Sequence, residues 1–223
     1  MSLGIVKGED WGWASAAVAG SLAGGVALFA MGFYALLLGN VLFLTQVWGW
    51  SILTAGFALT PGPLTAAVFA PLGGRLSDRF GQRVVAVPGG LLFATGCLVF
   101  ASGTGVEPAY VREFLPATLL TGAGVGLSFA AWGSAAVAEL PPSRYATGTA
   151  VSSCARQIGA VLGIAILVAV IGTPAPAAAL GVFHDAWTLM AFAALAAATL
   201  GLALGRVRAR DPEATVSAAP AVA

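Results

Sequence analysis

The chain has 223 residues, 59% hydrophobic and only 9% charged, with a net charge of +1. A water-soluble domain carries roughly 25% charged residues, so this composition excludes a protein that covers its own surface in water. The near-neutral charge offers nothing to nucleic acid.

One histidine and two separated cysteines leave no serine-histidine-aspartate or metal constellation. The chain is therefore not read as an enzyme, and no metal or cofactor is expected. Cys97 and Cys154 sit in apolar runs and are expected to be buried as small hydrophobes. Abundant Ala, Gly and Arg beside the single Lys7 suggests a bacterial source.

A membrane span needs about 20 apolar residues. Six such runs predict an all-α, polytopic membrane helix bundle with six transmembrane helices. Residues 1–13 form an interfacial segment ending Glu9-Asp10-Trp11-Gly12-Trp13, where tryptophans anchor at the membrane surface. The half-domain then covers 14–205, with spans at about 14–47, 51–72, 84–102, 114–138, 147–171 and 185–205. Residues 206–223 are expected to be a disordered cytoplasmic tail.

The first run has no charge and is about 51 Å long as a helix, against a bilayer core of about 30 Å. A hairpin would need a polar turn near Met31-Gly32, and none exists. One long, tilted or kinked helix is the preferred reading. Tyr34, Asn40 and Gln46 lie in it, and with Phe57 and Trp132 from later spans they are candidates for a cavity that takes amphiphilic molecules. The plainer reading is lipid-facing aromatics around one bonded amide.

In the second span, Thr60-Pro61-Gly62-Pro63 breaks the helix. Each proline removes a hydrogen bond, and Gly62 adds freedom. Pro61, Gly62 and Pro63 are read as a hinge or cavity wall, against a passive kink. The stretch Gly73 to Arg83 follows as a short basic loop. Gly73 and Gly74 are expected to let the second and third spans approach, Asp78 to accept N–H bonds of the turn or of a neighbouring helix end, and Gly81 to supply a positive φ; the plainer reading is a solvated basic loop.

The fourth span holds Gly122-Ala123-Gly124-Val125-Gly126. No strand precedes it, so close helix packing explains it better than a nucleotide loop. The fifth carries Arg156 and Gln157. A charge inside a span is costly, which makes Arg156 a functional candidate with Asp78 or Glu139 as partner; snorkelling to the interface is the alternative. Gly159 and Gly163 form a G-x-x-x-G face beside it. Asp185 is expected to cap the sixth span, with His184 incidental beside it.

Placing the 73–83 loop in the cytoplasm puts Arg75, Arg79, Arg83, Arg144, Arg206, Arg208 and Arg210 inside and only Arg112 outside. That asymmetry obeys the positive-inside rule and makes both termini cytoplasmic, in a multi-pass protein of the bacterial inner membrane.

Gly74-Arg75-Leu76-Ser77-Asp78-Arg79-Phe80-Gly81-Gln82-Arg83 resembles the loop motif of major facilitator transporters. Ala55 to Pro61, the stretch Ala155-Arg156-Gln157-Ile158-Gly159 with Leu162 to Ala165, and Glu9 to Ser15 resemble the fourteen-span drug:proton antiporter branch. The resemblance implies conformational gating by Gly74, Asp78, Arg79, Gly81 and Arg83. It also implies a small amphiphilic substrate and proton antiport.

By the same resemblance the chain corresponds to the carboxy-terminal half of such an exporter, inactive alone, whose partner is the missing amino-terminal half or a second copy. The coupling acids of the family belong to that other half. In the family the 14–47 run corresponds to two antiparallel spans with a basic connector, which is absent here. The rival expectation is a non-transporting or degenerate membrane subunit that dimerises or docks onto a separate amino-terminal half.

Overall fold

The computed structural model describes residues 16–135, 143, 145–172 and 178–202. Their elements are α1 (Ala16–Gln46), α2 (Ile52–Leu59), α3 (Pro61–Phe80), α4 (Arg83–Gly103), a π-helical turn (Tyr110–Phe114), α5 (Leu115–Ala135), α6 (Tyr145–Ile171) and α7 (Ala179–Gly201). Among the described residues six helical stretches are long and apolar enough to cross a membrane, α2 with α3 and the π-turn with α5 each counting as one.

The first run is one unbroken helix of 31 residues. Without water, a backbone that leaves the helix finds no other partner for its N–H groups, so the glycines in α1 do not break it. It ends where Gly49 adopts φ 66° and the Trp50 N–H returns to the Leu44 carbonyl at 3.0 Å. Ser51 then caps α2, its hydroxyl accepting from the Thr54 N–H at 3.2 Å.

The second span reaches further than the expected limit at residue 72. From Ile52 to Phe80 it covers 29 residues, about 43 Å at 1.5 Å per residue. Its last turns therefore project beyond the bilayer core, where arginines cost nothing. The basic stretch is mostly helix. Only Gly81 and Gln82 separate α3 from α4, with Gly81 at φ 91° and its N–H returned to the Ser77 carbonyl at 2.9 Å.

The last span also starts earlier than expected. α7 begins at Ala179, because Leu180, Val182 and Phe183 already pack on the main apolar cluster. Asp185 is therefore inside the helix and is not its cap. Cys97 is buried, but Cys154 is exposed on α6, since α6 turns its glycine face and not its cysteine toward α1.

The helices adjoin in the order α3, α5, α4, α7, α1, α6. Exchanging the first three spans with the last three (α1 with α5, α3 with α6, α4 with α7) leaves that set of neighbours unchanged. Three spans per repeat reverse the direction of the second, so the bundle is an inverted repeat.

Packing between helices in lipid draws no hydrophobic gain from water; van der Waals contact at close backbone approach takes its place. Gly159 and Gly163 lie directly on the Ala27 and Met31 carbonyls of α1, leaving no room for a Cβ. Gly122 and Gly126 of α5 lie the same way on the Gly62 and Ala66 carbonyls of α3, where a Cβ would stand 2.5 Å from each oxygen.

Candidate functional site

The motif at the α3–α4 turn divides between two helices. Gly74, Asp78 and Arg79 lie in α3, Gly81 makes the turn and Arg83 opens α4. Arg75, Asp78 and Arg79 are exposed, and the Arg79 guanidinium lies 5.3 Å from the Phe80 ring centroid.

Gly73 alone makes the expected close approach, and to α5 rather than α4: a Cβ there would stand 3.1 Å from Leu127 Cα. Around Gly74 there is open space. The turn N–H expected to bond Asp78 bonds a backbone carbonyl instead. Beneath the exposed charges Ser77 and Gln82 are buried, and Ser77 Oγ and Gln82 Oε1 have no hydrogen-bond partner among the described residues. Sequence reasoning missed both, because burial beside a charged motif leaves no pattern.

Pro61, Gly62 and Pro63 do not kink one helix. They open a second one: Pro61 occupies the first position of α3, where an N–H would be unused. The Thr60 N–H turns back to the Phe57 carbonyl at 3.2 Å. The Ala58 carbonyl accepts from the Tyr110 hydroxyl at 2.7 Å, 52 positions away.

The five polar and aromatic cavity candidates are not brought together. Asn40 is buried, and its Oδ1 accepts from the Trp187 indole N–H at 3.0 Å. Trp132 is 2% exposed and lies on Gly25 at the end of the bundle nearer the α3–α4 turn. Phe57 is 71% exposed on α2, and Gln46 is exposed at the end of α1. Only Tyr34 remains on a shared aromatic surface.

That surface runs along the α1–α5 seam. Tyr34 meets Phe33 edge-on at 5.1 Å, Phe33 meets Phe129 at 5.4 Å, and Phe129 meets Phe29 at 5.2 Å. Phe29 is fully buried, whereas Phe33, Tyr34 and Phe129 are half-buried. The i, i+4 spacing of Phe29 and Phe33 was a visible signal; Phe129, on another helix, had none. Edge-to-face rings of this kind offer broad apolar contact without fixed hydrogen bonds.

Arg156 and Gln157 are exposed on α6, flanked by the buried Ala155 and Gly159. Their side chains therefore point away from α1. Arg156 stands 11 residues after Tyr145, about 17 Å along the helix. Among the described residues neither Asp78 nor any other acid forms an ion pair with it; Glu139 lies outside the described residues, as do Arg144, Arg206, Arg208 and Arg210. Among the described residues no group of three or more His, Cys, Asp or Glu could hold a metal.

An inverted repeat of apolar helices packed through glycines is the construction of a multi-pass membrane transporter. The sequence profile of the Major Facilitator Superfamily matches residues 22–221, and the chain belongs to that superfamily, whose members are transporters and not enzymes.

Residues of the chain are similar to the multidrug resistance protein B homolog of Mycobacterium tuberculosis, with 30% identity over 56% of this chain and 23% of that protein. The triacylglyceride transporter of Mycobacteroides abscessus is 31% identical over 72% of this chain and 32% of that protein. The lincomycin resistance protein LmrB of Listeria monocytogenes is 26% identical over 52% and 24%. The chain thus spans a quarter to a third of the length of these curated relatives. It is a multi-pass protein of the bacterial cell membrane.

Proposed function

We propose that the chain is the six-span, carboxy-terminal half of a secondary active exporter of small amphiphilic, drug-like molecules, with its α3–α4 turn in the cytoplasm. The observation that carries this reading is the aromatic seam of Phe33, Tyr34 and Phe129 between α1 and α5, the two helices related by the internal exchange. Such a surface suits substrates that need apolar contact and few directed bonds. Relatives named for multidrug and lincomycin resistance support the same substrate class.

The orientation rests on Arg75, Arg79 and Arg83 at one end against Arg112 at the other. Gating at the turn by Gly74, Asp78, Arg79, Gly81 and Arg83, and proton antiport, rest on family resemblance. Within the described spans the acids Asp78, Glu113 and Asp185 all lie within about two turns of a helix end, so proton coupling needs a partner: the amino-terminal half or a second copy. The other reading, a non-transporting or degenerate subunit that docks or dimerises, is favoured by the unbroken α1 where the family pairs two spans.

Purified protein titrated with ethidium or tetraphenylphosphonium, with tryptophan quenching as the readout, tests the first reading. Saturable binding weakened at least fivefold by Phe129→Ala is expected. Equal binding by parent and variant would remove the seam, and the absence of any saturable binding would favour the non-transporting subunit.

A further inference from the structure

Two of the three residues Pro61, Gly62 and Pro63 lack an N–H, so the ordinary helical ladder cannot cross from α2 to α3. The two sides of this junction are held very differently. α3 is fixed to α5: the Gly62 carbonyl lies against Gly122, and a Cβ on Gly62 would stand 3.3 Å from Thr118 Cγ2.

α2 is held by little. Of its eight residues only Ala55 and Ala58 are buried, while Ile52, Leu53 and Phe57 are largely exposed. Ser51 and Thr54 bond each other, within the same turn. Among the described residues the one side chain that reaches α2's backbone from another span is Tyr110, whose hydroxyl donates to the Ala58 carbonyl at 2.7 Å.

Tyr110 is itself well placed. It opens the π-helical turn, its ring lies 5.9 Å from Trp50 and 6.0 Å from Phe114, and Phe114 is fully buried. The turn hangs on a loop held at three points. The Trp48 indole donates to the Gly105 carbonyl, the Gly105 N–H donates to Glu113 Oε2, and His184 Nε2 meets the Thr104 carbonyl, each at 3.0 Å. The donor is rigid and the acceptor sits on a loosely held segment.

We propose that the Tyr110 hydroxyl is a clasp that ties α2 to the π-helical turn beside the break in the ladder at Pro61–Pro63, and that α2 is a flap at the bundle end opposite the α3–α4 turn, closed while the clasp holds. The moving part is α2 with its exposed Ile52, Leu53 and Phe57; the fixed part is α3. Release exposes Ala55 and Ala58 and frees the π-helical turn from α2. This deepens the reading of Pro61–Pro63 as a hinge and names the residue that controls it.

Hydrogen exchange of the purified full chain in detergent tests the clasp and needs no transport, so its failure is separable from failure of the exporter reading. Tyr110→Phe keeps the ring contacts and removes only the donor. Amides 55–60 are expected to exchange about fivefold to tenfold faster, while amides 89–97 of α4 stay within twofold of the parent. Unchanged exchange at 55–60, or equal acceleration in both segments, would overturn the clasp. In a Pro61→Ala/Pro63→Ala background the restored N–H groups reach the Phe57 and Leu59 carbonyls and carry the ladder from α2 into α3, so α2 is held without the clasp and Tyr110→Phe should change exchange at 55–60 by less than twofold. A full effect in that background would equally overturn it.

Discussion

The indole N–H of Trp187 on α7 donates to Asn40 Oδ1 on α1 at 3.0 Å, and both residues are buried. Phe43 and Phe100 pack against the same indole, at 4.9 and 5.3 Å between ring centroids. Asn40 therefore serves the joint between α1 and α7, whatever its promise as a substrate contact. An unpaired polar group among apolar rings costs about 1–3 kcal/mol, although membrane hydrogen bonds average nearer 0.6 kcal/mol. Asn40→Leu is expected to lower thermal stability in detergent, and a double-mutant cycle with Trp187→Phe should give a coupling of about 0.5–2 kcal/mol. Additive losses would mean that the two side chains contribute separately.

The glycine seams predict sharper losses. Gly159 and Gly163 face the Ala27 and Met31 carbonyls, which are α1 backbone and cannot turn aside. Gly163→Val should force α6 away from α1, costing about 3 kcal/mol or the folded protein outright. Gly181 has nothing within 4 Å of its absent Cβ, and Gly181→Ala should be neutral or slightly stabilising. Size-exclusion profiles and melting temperatures of the two variants would separate them.

Within the α3–α4 motif the two glycines should part company. Gly81 has φ 91° and ψ 152°, a backbone region that residues with a Cβ avoid at about 1–3 kcal/mol. Gly81→Ala should lower stability by about that amount. Gly74 is helical with open space around it, so Gly74→Ala should fold normally. If it also abolishes efflux by cells that carry the chain with the proposed amino-terminal half, the motif acts through contacts made outside this chain's own fold; full efflux would leave Gly74 without a role.

What was legible in the sequence follows from what the bilayer demands. Charge-free runs of span length name themselves, because neither loop nor strand survives unpaired in lipid. The motif reads as a loop in the sequence because its charges look like the end of a span. α3 simply leaves the core and remains helical through Phe80. Asp185 reads as a cap for the same reason. Contacts across helices were out of reach: Asn40 and Trp187 stand 147 positions apart, and nothing in the spacing of either helix names the other. Phe129 and Tyr110 acquire their roles only through neighbours on other spans.

The arginine asymmetry predicts sidedness that labelling can read. Cys97 is fully buried, so only Cys154 need be replaced by serine to give a quiet background. Arg79→Cys and Glu107→Cys then place exposed thiols at opposite ends of the bundle, beside the α3–α4 turn and beside the α4–π-turn loop. A membrane-impermeant maleimide added to intact spheroplasts should label position 107 within minutes and position 79 only after lysis. The positive-inside rule acts through loops close to the spans, and three arginines within nine positions, 75 to 83, outweigh Arg112 alone. Labelling of position 79 in intact spheroplasts would invert the proposed orientation and move the Tyr110 clasp to the cytoplasmic face. The exchange behaviour of α2 would be unchanged, but the flap would then control entry from the cell interior.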